Sequence, residues 1–284
     1  MYFNDHLTGI ALKELVRRAI SEIRKARMMF EVTKKVAYDG TSEDLFTTAD
    51  TAAQAVYLKS LREGFPDFGI IAEENELQIP WQGDVPRYFT IDPLDGTKAF
   101  VRRQSHGVGT MIALVVEGVV HSAWVGDVNT QEIYGFRPGS TKVHRIYEYE
   151  VAENLRLIDR RKSLSDSEIL LREPLQRHSR GVQDLVQQYK SHLIDGGSIG
   201  TWMARLWKGE VAAVVLYPGF DTPWDSAPVM AITERLGFKM FRYVSSISRW
   251  SLYRHVNRDV PTLRNDEVLI VHPSQISQLR SSLS

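Results

Sequence analysis

A nearly uncharged stretch from Gly107 to Gly126 constrains the fold of this chain more than any other segment. A membrane span needs roughly 20 apolar residues without a central charge, and this stretch is interrupted by Glu117-Gly118. Its two halves, Thr110 to Val116 and Val119 to Val125, are rich in β-branched residues. Two such runs around a tight turn predict a buried β-hairpin.

The segments before the hairpin predict both helices and strands. Apolar residues at helical spacing predict a first helix through Leu12 to Ile23. A second helix is predicted from Asp50 to Gly64. The short apolar runs Phe68 to Ala72 and Tyr88 to Ile91 predict buried strands.

Further elements are predicted beyond the hairpin. They are a strand at Glu132 to Phe136, a helix capped by Ser198, a strand at Val211 to Leu216, a helix at Ser226 to Leu236, a strand at Val268 to Val271 and a last helix at Ser274 to Leu283.

Helices and strands that mix without strict alternation favour a layered α/β fold over a doubly wound parallel sheet. We expect two subdomains. Residues 1–140 would form an N-terminal α+β subdomain, and residues 141–284 a C-terminal α/β subdomain. The polar segment 140–190 would begin this second, smaller subdomain.

Composition excludes several classes of function. The chain has no cysteine, which excludes disulfides, zinc–thiolate sites and thiol nucleophiles. Thirty-five basic residues balance thirty-five acidic ones, so we expect no nucleic-acid partner. The basic run 160–162 is interpreted as a solvated loop. We expect no membrane association and a cytoplasmic location, because residues 1–5 lack the features of a signal peptide.

The segment Asp92-Pro93-Leu94-Asp95-Gly96-Thr97 is the sharpest chemical signal in the sequence. It follows an apolar strand, and a turn at Pro93 and Gly96 can direct both carboxylates to one point. Mg²⁺ prefers such carboxylate and carbonyl oxygens, and the backbone N–H groups at the start of the next helix suit a phosphate. The alternative is an ordinary solvent-exposed Pro-Asp-Gly turn.

Three other acidic points are weaker when each is considered alone. Glu73-Glu74 follows a strand and resembles a solvated loop. Asp50 and Trp224-Asp225 lie at predicted helix starts, where an aspartate is a common cap.

Taken together, these segments resemble the inositol monophosphatase superfamily of lithium-sensitive, metal-dependent sugar and nucleotide phosphatases. The family pattern is Asp, then Glu-Glu, then Asp-Pro-Ile/Leu-Asp-Gly/Ser-Thr, then Trp-Asp. This chain matches it in order with Asp50, Glu73-Glu74, the segment 92–97 and Trp224-Asp225. Gly200-Thr201 also matches. The resemblance implies the layered αβαβα sandwich of the sugar phosphatases.

The resemblance also implies site residues and a cofactor. Glu73 and Thr97 would position the attacking water and help to deprotonate it, while Asp50 orients Thr97. The backbone N–H groups of Gly96 and Thr97 would bind phosphate. Two or three Mg²⁺ ions would be held by Glu73, Asp92, the Leu94 carbonyl, Asp95 and Asp225. The substrate would be a small phosphorylated metabolite, and the protein would be a homodimer.

Departures from the family pattern concern the substrate. Inositol phosphatases carry an acidic residue six positions before the Trp of the Trp-Asp pair, where this chain has Pro218. The bulky Trp202 follows Gly200-Thr201 and could stack on a flat substrate, or it could simply belong to the core. Together with Lys98, these residues favour histidinol phosphate or a 3′(2′),5′-bisphosphate nucleotide over inositol phosphate. A non-catalytic regulator that binds Mg²⁺ or an anion is the alternative from another class.

Overall fold

The computed structural model describes residues 4–36, 43–147, 151–155 and 163–279. Within them, the helices are α1 (Asp5–Ala26), α2 (Thr48–Gly64), α3 (Thr97–Val101), α4 (Arg180–Val186), α5 (Ile199–Trp207) and α6 (Pro223–Arg235). The strands are β1 (Val32–Val36), β2 (Glu43–Thr47), β3 (Gly69–Ala72), β4 (Leu77–Ile79), β5 (Arg87–Asp95), β6 (Gly109–Val116), β7 (Val119–Asp127), β8 (Ile133–Phe136), β9 (Val143–Ile146), β10 (Ala152–Leu155), β11 (Glu168–Leu171), β12 (Ser191–Ile194), β13 (Ala213–Leu216), β14 (Gly219–Asp221), β15 (Lys239–Val244), β16 (Arg249–Leu252), β17 (Thr262–Arg264) and β18 (Val268–Val271).

The first sheet has eight strands in the order β10-β9-β8-β7-β6-β5-β3-β4. The predicted hairpin forms its centre, since β6 and β7 pair in antiparallel fashion from Gly109 opposite Asp127 to Val116 opposite Val119. Strands β3 and β5 are parallel. Their carboxyl ends, which precede Glu73 and carry Asp92 and Asp95, therefore lie at the same edge of the sheet.

The second sheet has six strands in the order β12-β11-β13-β18-β15-β16. Two small two-stranded sheets, β1-β2 and β14-β17, accompany the large ones.

The layers follow from the alternation of side chains along the strands. On one face of the first sheet, Ile112 and Leu114 pack with α1 and α2. On the other face, Met111 and Ala113 share a core with α5, α6 and the second sheet. The outer face of the second sheet packs on α4. This order gives five layers and confirms the predicted αβαβα fold.

Several sequence-based expectations need correction. Strands β9 and β10 follow residue 140 but belong to the first sheet, because the buried side chains of Val143 and Ile146 fit its face. The first sheet therefore continues to Leu155, beyond the expected subdomain boundary. Helix α6 begins at Pro223, with Thr222 as its cap, so Trp224-Asp225 lies inside its first turn.

In place of the predicted last helix, the described residues form a short 3₁₀ helix at Pro273–Gln275, which is followed by a turn at residues 276–278. Serines in this segment compete with helical hydrogen bonding. The basic run 160–162 and residues 280–284 lie outside the described residues.

Among the residues that the structure describes, no helix has both the length and the apolar character needed to cross a membrane.

Candidate active site

Three carboxylates meet at the edge of the first sheet. Asp92 and Asp95 lie at the end of β5, and Asp225 lies in the first turn of α6. One oxygen from each residue lies within 4.8 Å of the others. Two segments that are far apart in sequence thus bring together three of the predicted metal ligands.

The start of helix α5 fixes the carboxylate of Asp95. Its Oδ1 accepts a hydrogen bond from the N–H of Ile199 at 3.0 Å, and its Oδ2 accepts one from the N–H of Gly200 at 2.8 Å. The Ser198 hydroxyl also donates to Oδ2. These contacts hold Asp95 in place and support its negative charge at a helix N-terminus.

Gly96 turns the chain from β5 into α3 in a left-handed conformation, with φ 88°. A Cβ atom at this position would lie 2.2 Å from the carbonyl oxygen of Gly107 and 2.6 Å from the amide nitrogen of Ser198. Only glycine therefore allows the turn between Asp95 and Thr97 to pack this closely.

The Glu73-Glu74 pair is held by helix α2 and by strand β1. The side chain of Gln54 donates to the Glu74 carbonyl at 3.1 Å and accepts from the Glu74 N–H at 3.3 Å. The ammonium of Lys35 lies 2.9 Å from Glu73 Oε1 and 3.2 Å from Glu74 Oε1. The Glu-Glu pair is thus a fixed and largely buried part of the site, and the solvated-loop interpretation is wrong.

Asp50 connects the start of α2 with Thr97. It forms a capping box with Thr47, whose N–H lies 2.8 Å from Asp50 Oδ2. Its other oxygen lies 3.2 Å from the hydroxyl of Thr97. Asp50 therefore has the capping contact and also the contact needed to orient Thr97.

Burial and mutual repulsion dominate the electrostatics of the cluster. Burial raises the pKa of Asp92 well above its usual value, and the charges of Glu73, Asp95 and Asp225 raise it further. Burial, followed by Asp95 and Glu73, raises the pKa of Asp225 to about 7. Burial also raises the pKa of Asp95, against the hydrogen bonds from Ser198 and Gly200.

The residues present fit a divalent cation. Asp92 Oδ1 is buried and has no hydrogen-bond partner among the described residues, which is costly unless a ligand satisfies it. A set of carboxylate oxygens with a nearby carbonyl matches the preference of Mg²⁺. A bound cation would also relieve the repulsion that raises these pKa values.

These residues line one cavity of about 240 Å³, which we call the catalytic cavity. Seven of the predicted site residues line it: Glu73, Asp92, Leu94, Asp95, Gly96, Thr97 and Asp225. Three charged neighbours, Asp44, Lys98 and Arg172, also line it. Asp50 lies behind Thr97 and is fully buried.

Trp202 does not line this cavity. Its side chain is 2% exposed and packs in the core between the sheets, so it cannot stack on a substrate as one sequence interpretation expected. Its ring instead lies under the guanidinium of Arg172, 5.6 Å from the ring centroid. The alternative interpretation, that Trp202 belongs to the core, is the correct one.

Sequence reasoning missed Lys35, Gln54 and Arg172. Arg172 donates from Nη2 to the Gly197 carbonyl at 2.7 Å, and its Nη1 is buried without a partner among the described residues. Lys35 and Arg172 are single residues far in sequence from the acidic motifs, and only the fold brings them to the site. Gln54 lies one helical turn after Asp50 on α2, but nothing in the sequence links it to Glu74.

The layered αβαβα fold thus places an acidic cavity, whose residues fit a divalent cation, at one edge of its first sheet. The model of the inositol monophosphatase family matches residues 5–276, and the chain belongs to that family. This places it among enzymes that act on phosphate monoesters.

Individual relatives agree with this assignment. A histidinol-phosphatase of Chlorobaculum parvum is 29% identical over 203 residues, which cover 69% of this chain and 72% of that protein. The 3′(2′),5′-bisphosphate nucleotidase CysQ of Salmonella typhimurium is 38% identical over 96 residues, or 32% of this chain and 37% of that protein. The structure of an IMPase from Thermotoga maritima has a TM-score of 0.70 at 19% identity and covers 98% of this chain and 96% of its own.

The raised pKa of Asp225 predicts how stability depends on pH and metal. In the folded chain the pKa is about 7, against an ordinary 3.8. Between these values the folded state binds more protons than the unfolded state, so the free energy of unfolding falls as the pH rises. In chelator at pH 8, Asp225→Asn should therefore raise the melting temperature. Added Mg²⁺ should stabilise the wild type more than this variant.

The exposed Asp84 provides the matched control. In a thermal-shift assay, Asp84→Asn should change neither the melting temperature in chelator nor the stabilisation by Mg²⁺. An Asp225→Asn variant with the full Mg²⁺-induced shift would show that Asp225 is no metal ligand.

Proposed function

We propose that this protein is a Mg²⁺-dependent phosphatase that removes the phosphate from a small soluble metabolite. The observation that carries the proposal is the convergence of Asp92, Asp95 and Asp225 within 4.8 Å, next to a Thr97 hydroxyl paired with Asp50. A binding protein would need the carboxylates but would have no use for an oriented hydroxyl beside them.

Glu73, Asp92, the Leu94 carbonyl, Asp95 and Asp225 would hold two or three Mg²⁺ ions. When bound, such ions neutralise the phosphate dianion, lower the pKa of a water and stabilise the leaving oxygen. Asp92 would be the central ligand, since its Oδ1 is buried and free of hydrogen bonds among the described residues.

Thr97 and Glu73 would act on the attacking water. The Thr97 hydroxyl can donate to Asp50 Oδ1 at 3.2 Å, which leaves its lone pairs free to accept a hydrogen bond from the water. Asp50 keeps this direction because the N–H and hydroxyl of Thr47 hold its other oxygen. Glu73 lines the same cavity and would accept the proton as general base.

The phosphate would be bound by the backbone N–H groups of Gly96 and Thr97 and by Arg172. The unpartnered Nη1 of Arg172 supplies a buried charged donor at the wall of the catalytic cavity. A guanidinium is well suited to phosphate oxygens because it can offer two parallel donors.

The nature of the leaving group follows from the neighbouring wall. Pro218 lines a cavity that adjoins Asp225 and cannot accept hydrogen bonds from sugar hydroxyls through its side chain. This disfavours inositol phosphate. Histidinol phosphate and a 3′(2′),5′-bisphosphate nucleotide remain the two candidates, and relatives with both printed activities match the chain.

We further propose a cytoplasmic homodimer that binds neither nucleic acid nor membranes. The absence of cysteine supports the cytoplasmic location, and the balance of basic and acidic residues argues against a nucleic-acid partner. The dimer follows from the family resemblance alone.

Phosphate release from a panel of metabolites tests the proposed function. With Mg²⁺, kcat/KM for adenosine 3′,5′-bisphosphate or histidinol phosphate should exceed that for inositol 1-phosphate. EDTA should abolish release, and Li⁺ should inhibit it. Release that persists in excess chelator would refute the metal mechanism, and no release from any substrate would favour a non-catalytic regulator.

Thr97→Ala should lower kcat by roughly 100-fold or more, as expected when a group that assists proton transfer is lost. The Mg²⁺ affinity measured by calorimetry should stay close to that of the wild type. Thr97→Ser keeps the hydroxyl and is the matched control, so it should retain most of the activity. A Thr97→Ala variant with lost Mg²⁺ affinity and normal kcat at saturating Mg²⁺ would contradict the role.

A further inference from the structure

A second polar cavity, of about 380 Å³, lies beside the candidate active site. We call it the arginine cavity, and one of its walls is the arm, residues 253–261 between β16 and β17. The arm is anchored at both sheets. The Tyr253 N–H donates to the Met240 carbonyl at 2.8 Å, and the Asn257 side chain donates to the Gly118 carbonyl at 2.9 Å.

The lining of this cavity carries an excess of positive charge. It holds four arginines and only two carboxylates, Asp221 and Asp266. Both carboxylates are already engaged. Asp221 lies 3.1 Å from Arg264 Nε, and Asp266 lies 3.6 Å from Arg242 Nη1.

Arg254 and Arg258, on the arm, are the other two arginines. Neither has an ion pair or hydrogen bond with any residue in the described part of the chain, and both are exposed to the cavity and solvent. His255 lies between them in sequence, and both its ring nitrogens are buried without a partner there. Buried polar atoms are normally satisfied, so the His255 ring lacks a partner among the residues that the structure describes, and the two exposed guanidinium groups beside it can each donate to an anion.

A third cavity of about 290 Å³, which we call the middle cavity, adjoins both the arginine cavity and the catalytic cavity. It shares Asp95, Arg172 and Asp225 with the catalytic cavity. With the arginine cavity it shares Asp221, Ser226 and Arg264. Its walls include Tyr217, Phe220 and Met230, which offer apolar and aromatic surface.

We propose that the arginine cavity binds a second anionic group of the substrate, so that the substrate is a phosphate monoester whose leaving group ends in a phosphate or carboxylate. The middle cavity would hold the largely apolar or aromatic part between the two anions. Arg254, Arg258 and His255 would contact the distal anion. This assignment rests on the proposed function, because the phosphatase proposal places the reacting phosphate at the carboxylates and the other end of the substrate in the arginine cavity.

The chemistry of the lining distinguishes among substrates. Arginine recognises phosphate and carboxylate groups through paired donors. A leaving group that ends in an ammonium would meet like charges in this cavity, which disfavours it. The arginine cavity thus favours a bis-anionic substrate over one with a cationic tail such as histidinol phosphate.

Three non-hydrolysable probes isolate the distal anion. They are 4-methylbenzylphosphonate, 4-(phosphonomethyl)phenylacetate and p-xylylenediphosphonate, which differ only in whether the distal methylene carries no anion, a carboxylate or a phosphonate. Calorimetry in Mg²⁺ should give at least about tenfold tighter binding for one or both bis-anionic probes, as expected for charge-assisted hydrogen bonds. The better of the two identifies the anion. No turnover is needed, so a failed phosphatase assay leaves this result interpretable.

Arg254→Gln and Arg258→Gln should each reduce the affinity advantage of the bis-anionic probes. Both side chains are exposed, so the fold should tolerate the changes. Arg62→Gln is the matched control, because Arg62 is an exposed and unpartnered arginine on α2 within the described residues, and it should leave the advantage unchanged.

A pair of nucleotide substrates tests the same proposal with a different spacer between the two anions. The ratio of kcat/KM for adenosine 3′,5′-bisphosphate to that for adenosine 3′-monophosphate should fall in both arm variants and not in Arg62→Gln. The proposal is overturned if the wild type discriminates in neither series, or if the discrimination survives in both arm variants. Turnover of both nucleotides at equal efficiency, together with equal affinity for all three probes, would refute the second anion site while leaving the phosphatase function intact.

Discussion

Repulsion among buried carboxylates is the constraint on which the rest of this structure depends. Asp92, Asp95 and Asp225 lie close enough to share one cation, and burial with mutual repulsion raises their pKa values. Such a cluster survives only if the surrounding fold is stable enough to impose it. Here strand β5 of the first sheet carries Asp92 and Asp95, and helix α6, which packs between the two sheets, carries Asp225.

Several of the acidic residues are held by contacts from neighbouring helices and strands, and these contacts explain much of the local architecture. The start of α5 holds Asp95, and α2 holds the turn at Glu74 through Gln54. Lys35 places a positive charge against Glu73. The Asp50 contact of Thr97 extends the same network to the group that would position water. Helices α2, α5 and α6 thus meet at one edge of the first sheet, where their ends or side chains contact or carry the acidic residues.

The local part of this picture could be predicted from sequence, and the non-local part could not. The segment 92–97 carries its strand, turn and helix start within a few residues, so its local geometry could be predicted. The hairpin followed from two apolar, β-rich runs around a turn, and the αβαβα order followed from the family resemblance. Lys35 and Arg172 are single cations whose positions depend on tertiary packing. The position of Trp202 was ambiguous because an aromatic residue near a motif can face either the core or the cleft. In the structure its side chain is buried in the core. Strands β9 and β10 lie in a part of the sequence that looked polar, yet two buried side chains in β9, Val143 and Ile146, pack on the first sheet.

The central claim is that the carboxylate cluster is a metal centre, and one diffraction experiment tests it most directly. Crystals grown with Mn²⁺ and inorganic phosphate should show anomalous density between the carboxylates of Asp92, Asp95 and Asp225, with phosphate beside Gly96 and Thr97. Anomalous density only elsewhere on the protein, with the three carboxylates in contact with water or with each other, would contradict the claim.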